Sequence, residues 1–263
     1  MAKKWRERPI EMKDLEEFAD KGTDDFLFEL GVVRCLNERG FSAQHGGTYK
    51  DPVAGKFREF DVRASTTVRM GRAFFAIEAK NLRSNLPLVA LTVPRPENEA
   101  KHAQFAKGRE ELVEHDNMRV ASLYQPGHQV AKSLAQVGFD EGSKTTASNG
   151  DAFDRWSQAL NSLQGVAREA ADYSRSNEDR VGYLFPVLVV PDETLWTIPF
   201  DQAGRRAKPA LTNRVSFSVM RIIKYPVRFT NERDPSVLVS HLEICTLSGL
   251  TQIVKSLGLA EDS

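Results

Sequence analysis

Cysteine is scarce: the chain has two, Cys35 and Cys245, in 263 residues. Two thiols in apolar segments cannot build a disulfide framework; they read as buried free thiols of a cytoplasmic protein. Long hydrophobic runs are missing as well. The longest, residues 86–93 and 184–190, fall far short of the roughly 20 residues that span a bilayer. The opening residues, MAKKWRERPIEMKDLEEF, carry positive charge with no apolar stretch behind it, so no secretory signal is expected. Alanine at position 2 leaves no myristoylation site. Net charge is absent too, because 36 basic and 36 acidic side chains cancel. That argues against a generally basic nucleic-acid coat, but not against a local basic face. The five histidines (45, 102, 115, 128 and 241) show no metal-ligand spacing, no glycine pattern forms a phosphate loop, and no Ser-His-Asp arrangement follows from spacing.

What is present is an ordinary globular balance, 41% hydrophobic and 27% charged, enough for one large domain with a sizeable core. The charge is uneven. Residues 50–83 carry eight basic side chains against four acidic ones, and residues 204–228 carry seven basic and no acidic ones. A helix is expected over residues 24–37, capped by Asp24 or Thr23 and stopped at Gly40. It is apolar on nearly every side, which predicts burial. A strand over 41–49, a turn at 50–56, a strand over 58–66, a hairpin turn at 70–72 and a strand over 73–80 make an antiparallel meander. Beyond it the pattern predicts a strand over 86–93, a polar helix over 97–115, a short strand over 118–124 and a mobile loop at 138–150. A long helix over 152–174 and a buried strand over 183–190 follow. Strands over 195–200, 215–223 and 237–245 and a helix over 248–257 complete one α/β domain.

The chemistry concentrates in the meander. Strand alternation puts Phe75, Ile77 and Ala79 on one face and Glu78 and Lys80 on the other. It likewise separates Phe60 and Val62 from Glu59, Asp61 and Arg63. If the strands pair, Asp61 sits beside Glu78 and Lys80. Converging carboxylates repel and lose hydration, a cost that a divalent cation removes. Oxygen ligands suit magnesium, which takes one or two carboxylates and keeps several waters. A neighbouring lysine can position a water or stabilise phosphate charge. Three Glu-x-Lys triplets occur, at residues 11–13, 78–80 and 99–101. Only the second ends a hydrophobic strand. The competing reading of Glu78 and Lys80 is an exposed strand end with a surface ion pair. Glu29 adds support for the first reading, because it lies largely within an apolar helical stripe, where a carboxylate needs a partner. A third acid aimed at the same cluster explains that placement better than an arginine pair at the stripe's edge. His45 reads as a loop residue.

With FLFELGVVRCLNERGF, DPVAGKFREFDVRAS and FFAIEAK in this order, residues 25–80 resemble the PD-(D/E)XK, or restriction-endonuclease-like, nuclease superfamily. The resemblance implies an α/β fold in which helices flank a central mixed β-sheet. Its core order is a helix, three strands, a helix and a fourth strand. On that order the core covers about residues 23–190 with an insertion at 86–150, and residues 192–263 form an added C-terminal layer, all within one nuclease domain, 1–263. Glu29 matches the helical acid, Asp61 the metal-binding acid, and Glu78 and Lys80 the signature pair; Phe60 stands where the family name implies proline. The implied activity is hydrolysis of DNA phosphodiester bonds with Mg2+ or Mn2+. Asp61, Glu78 and the Ala79 carbonyl would hold the metal, Glu29 a second metal or a metal-bound water, and Lys80 would orient the attacking water. A polar residue of the second helix would complete the site, with Gln158, Gln164 and Ser162 as candidates. The alternative is a catalytically inactive nucleic-acid-binding module on the same fold. The expected partner is nucleic acid, in the first place DNA, with no membrane. The sequence leaves open defence or repair as the setting, and a homodimer or larger complex as the assembly.

Overall fold

A computed structural model describes residues 8–22, 24–51, 55–68, 71–99, 102–105, 113–115, 123–140, 143–176, 181–224 and 236–256. Two helices open it, α1 (Met12–Gly22) and α2 (Asp24–Asn37). The expected meander follows as β1 (Ser42–His45), β4 (Val62–Val68) and β5 (Gly71–Ala79), with a small hairpin of β2 (Thr48–Lys50) and β3 (Phe57–Glu59) inserted after β1. Next come β6 (Leu88–Pro94), β7 (His102–Phe105), β8 (Val113–His115), β9 (Gln129–Phe139) and β10 (Thr145–Ser148). The long helix α3 (Asn149–Ser176) leads into β11 (Val181–Val190), then β12 (Leu195–Pro199), β13 (Ala210–Leu211), β14 (Arg214–Lys224), β15 (Ser236–Thr246) and α4 (Leu247–Ser256). No helix among the described residues is long and apolar enough to cross a membrane.

The main sheet is mixed, in the order β1-β4-β5-β11-β15-β14-β9-β6-β12-β13. β1, β4 and β5 are antiparallel neighbours, and β11 and β15 continue the sheet parallel to β5. A parallel step requires a crossover, and α3 precedes β11 and packs across β5 and β11. Strands covered on both faces read as continuous apolar runs rather than alternations, as β11 does from Gly182 to Val190. One core lies between the sheet and α3 and includes Phe74, Ala76, Leu160, Leu163, Val166 and Leu188. The other lies on the opposite face, under α2 and α4, and includes Val32, Leu36, Phe75, Ile77, Phe185 and Ile253.

Several expectations are corrected. The described residues of 97–115 do not form the expected helix: a 3-10 turn at Glu97–Glu99 is followed by β7 and β8, which pair with each other, β7 also bonding β11. Pairing partners outside the segment override a polar composition that read as helical. Within residues 138–150, expected as a mobile loop, Gly138 and Phe139 end β9, Thr145–Ser148 form β10 paired with it, and α3 begins at Asn149. All four β10 residues are exposed, so no apolar alternation marks that strand. Of the strand expected over 118–124, residues 118–122 lie outside the described set. The strand expected over 41–49 is broken at Gly46-Gly47. Of the hairpin turn expected at 70–72, residue 70 lies outside the described residues, and Gly71 and Arg72 already belong to β5, Gly71 paired with Val68. Of residues 192–263, expected as a C-terminal layer, the described strands belong to the main sheet, β15 standing between β11 and β14 and β12 pairing with β6. Nor is α2 fully buried: Phe26, Leu27 and Leu30 are exposed. Cys35 is half-buried, Cys245 is buried, and both are free.

A polar cluster is buried on the α4 side of β14 and β15. Arg214 Nε bonds Glu243 Oε2 at 2.7 Å. Arg95 donates to Ser216 Oγ at 2.9 Å and contacts His241 Nε2 at 2.6 Å. The His241 ring stacks on Tyr124 with centroids 4.0 Å apart.

Candidate functional site

Glu78 sits next to the end of β5, in register with Leu188 of β11. Its face is the one shared with Phe74 and Ala76, toward α3, as strand alternation predicts. The residue is 3% exposed. Asp61 lies at the bend before β4. Its Oδ2 accepts a 2.8 Å hydrogen bond from the Ala79 backbone N–H, which draws the bend onto the end of β5. Lys80 follows directly and is anchored by its own N–H to the Val189 carbonyl, 2.8 Å away. Its Nζ stands 2.8 Å from Glu78 Oε1 and 3.9 Å from Asp61 Oδ2. Asp61, Glu78 and Lys80 are thus brought together by three elements: the β4 entry, β5 and β11.

Glu29 takes a different place from the one expected. Its Oε2 is 2.8 Å from His45 Nε2, the last residue of β1. It remains in electrostatic range of Asp61 and Glu78 and raises the pKa of both, but the partner it bonds is a histidine, neither an arginine nor a shared acid cluster. His45 is accordingly a strand residue within the site and not a loop residue. Its signal in the sequence was weak, since a lone histidine five residues past a helix stop carries no spacing.

Burial dominates the electrostatics. It pushes the Glu78 carboxyl up to about 7, with repulsion from Asp61 adding and Lys80 opposing. Asp61 is also raised by burial, against the pull of Lys80 and the Ala79 N–H. A buried carboxyl, Glu78, and a half-buried one, Asp61, thus both face the Lys80 ammonium. Among the described residues no group of three or more His, Cys, Asp and Glu side chains gathers to hold a metal ion. The chemistry of the pair nevertheless fits a hard divalent cation, which needs only one or two carboxylates and completes its shell with water. A cation there would also lower both raised pKa values.

A second polar group borders the first. Asp51, 1% exposed, binds Arg58 Nε at 2.8 Å and accepts from Asn161 Nδ2 of α3 at 3.2 Å. Arg221 of β14 donates to Asn161 Oδ1. These contacts tie the β2–β3 hairpin to α3 and the sheet. The buried Tyr49 hydroxyl, which has no hydrogen-bond partner among the described residues, is pushed up to about 12 by burial first and then by Asp51 and Glu78. Asp51 had read as turn chemistry only. Arg63 lies 4.1 Å over the Phe60 ring and donates to the Ser162 carbonyl at 3.4 Å. A Cβ on Gly165 would stand 2.6 Å from its guanidinium, so a larger residue there would have to displace the end of the Arg63 side chain. Of the three helix candidates, Ser162 bonds its own helix at the Ala159 carbonyl. Gln158 and Gln164 are half-buried, and among the described residues neither bonds the acids. A depression lined by Pro94, Gln129, Phe200, Asp201 and Arg206 contains none of the four expected site residues.

Compared with protein-family models, with curated proteins and with solved structures, the chain matches none.

Proposed function

We infer that the protein is a divalent-metal-dependent nuclease with a restriction-endonuclease-like core, hydrolysing DNA phosphodiester bonds. The observation that carries this reading is the convergence of Asp61, Glu78 and Lys80, with Glu78 buried and its carboxyl raised to about 7 beside a single ammonium. The order helix α2, meander β1-β4-β5, crossover helix α3 and parallel strand β11 supports it, since the resembling superfamily has this order.

In this reading Asp61, Glu78 and the Ala79 carbonyl hold Mg2+ or Mn2+. When bound, the ion supplies positive charge at the scissile phosphate and acidifies a water. Glu78 binds as a carboxylate, so it releases its proton first. The Ala79 N–H keeps one Asp61 oxygen fixed. Lys80 is 29% exposed, open enough to meet an attacking water or a phosphate oxygen. Glu29, bonded to His45, would accept a hydrogen bond from a water of the ion's shell.

The rival, a non-catalytic nucleic-acid-binding module, draws on the same ion pair, because Lys80 already offsets the Glu78 charge without a metal. Cleavage of a labelled DNA mixture of single strands, duplexes and supercoiled circles in Mg2+ or Mn2+ separates the two. Wild type should cut at least one form and lose activity in EDTA. Asp61→Ala should abolish cutting with its circular dichroism spectrum unchanged. Absence of cutting with DNA binding retained favours the rival, and an Asp61→Ala protein as active as wild type removes the site assignment.

A further inference from the structure

The hairpin that leads into Asp61 has two unlike faces. In its ladder Tyr49 pairs with Arg58, while Lys50 pairs with Phe57 and Thr48 with Glu59. Directly opposed residues share a face. The Tyr49–Arg58 face is tied down by the Asp51 and Asn161 contacts. The other is in solvent, and Phe57 on it is 77% exposed, the highest value among the large apolar side chains described. Scattered exposed apolar residues are normal on protein surfaces, but this one has a specific setting. It lies next to Lys56 and across from Lys50, both exposed; of the hairpin's two acids, Asp51 is buried and paired with Arg58, while Glu59 is exposed two residues on, opposite Thr48.

The hairpin is also held in place at its base. The Phe60 N–H bonds the Gly47 carbonyl at 3.0 Å and the Gly46 N–H bonds the Asp61 carbonyl at 2.8 Å. Gly47 has φ +142°, and a Cβ there would meet the Phe60 ring at 2.5 Å. A ring on a mount fixed from below and behind loses little conformational freedom when a ligand covers it. Phe57 precedes Asp61 by four residues, at most roughly 14 Å of extended chain. An exposed aromatic ring with Lys50 and Lys56 beside it, at that distance from a phosphodiester site, matches the way proteins hold single strands: bases stack on rings while basic side chains follow the phosphates. A paired and stacked base presents no free face to such a ring.

Resting on the nuclease reading for its setting, we propose that Phe57 is a base-stacking platform, and that the site takes DNA with unpaired bases beside the scissile phosphate. Lys50 and Lys56 hold the flanking backbone. The hairpin thereby selects single strands, frayed ends or gaps over intact duplex.

The test uses the full chain in calcium, with a fluorescent oligothymidine and a blunt hairpin duplex as probes. Phe57→Ala should weaken oligothymidine binding by roughly five- to a hundredfold, the range of one base–aromatic stack. Phe57→Trp should bind within twofold of wild type, and duplex affinity should not change. Since Phe57 is in solvent, neither substitution disturbs packing. Unchanged single-strand affinity in Phe57→Ala overturns the proposal. So does an equal loss on single strand and duplex, which would make Phe57 a general contact, and so does a wild type that binds neither probe. Magnesium-dependent cleavage is scored separately. If cutting is absent while Phe57-dependent single-strand binding persists, the nuclease reading fails and the platform stands. If cutting is present and indifferent to Phe57, the platform fails alone.

Discussion

Replacing Glu78 by glutamine should make the metal-free protein more stable at pH 8 and change it little at pH 5. Burial and the neighbouring Asp61 move the Glu78 carboxyl from an ordinary 4.5 to about 7. At about 1.4 kcal/mol per pH unit, ionising it in the folded protein costs about 3 kcal/mol. The sign follows from proton counting. Between pH 4.5 and 7 the folded state holds a proton that the unfolded chain has released, so stability falls as pH rises through this window and levels off above it. Asp61 is raised for the same leading reason, desolvation, and contributes with the same sign; the two titrate as a pair. Urea unfolding in EDTA, followed by circular dichroism from pH 5 to pH 8, gives the measurement as the difference between wild type and Glu78→Gln, in which groups common to both cancel. The wild type should lose about 3 kcal/mol relative to the variant across the window. Saturating Mn2+ at pH 8 should restore wild type and act weakly on the variant, since only the carboxylate can trade its proton for the ion. Parallel pH curves would refute the assignment of Glu78 as a buried, destabilising acid, and equal Mn2+ stabilisation of both proteins would refute its role as a ligand.

Other outcomes follow from the same geometry. Lys80→Ala should leave DNA affinity in calcium within a few-fold while single-turnover cleavage in magnesium falls roughly a hundredfold or more, and arginine should not rescue it fully, because its planar fork differs from a compact ammonium; an equal loss in both assays would make Lys80 an ordinary phosphate contact. A fragment of residues 1–90 should fail to fold cooperatively, since it holds β5 without its parallel neighbour β11 and without α3 over the Phe74 face; a sharp, two-state denaturation of that fragment would contradict this. Arg214→Ala should destabilise the protein by about 3–5 kcal/mol, as removal of one partner strands a buried charge. Here that charge is Glu243, 1% exposed and 2.7 Å from Arg214. Chemical denaturation reads the loss directly.

The part of the site legible in the sequence is the part set by strand periodicity. Glu78 and Lys80 on the face opposite Phe75 and Ile77, and Asp61 beside them, follow from alternation within two adjacent strands. The partner of Glu29 was not legible, because His45 reaches it from a different element across a turn that the local pattern does not describe. Asp51 and Asn161 stand 110 positions apart, and their bond depends on α3 crossing the sheet. The same distinction holds for the fold. Segments with strong apolar patterns, such as β5, β11 and α3, could be placed from composition. β7, β8 and β10 are short, polar or exposed, and exist because a neighbouring strand supplies hydrogen bonds, which no local preference encodes. The sheet position of β15 was hidden for a related reason: its apolar pattern reveals a strand but not which strands it divides.

That position has a bearing on how the chain is made. β15 is drawn from residues 236–246, yet it separates β11 from β14 near the middle of the sheet. Until it leaves the ribosome, the edge of β11 from Val187 to Val190 lacks its strand partner, while Gly182 and Tyr183 at its start pair with β7. The acids at residues 61 and 78 thus belong to a half-sheet that waits for more than 150 further residues. Contacts of such sequence separation fold slowly, and unpaired edges are prone to misassociate in the meantime. Production at low temperature, with slower synthesis and chaperones in excess, should accordingly raise the yield of native protein more than any change near the amino-terminal helices.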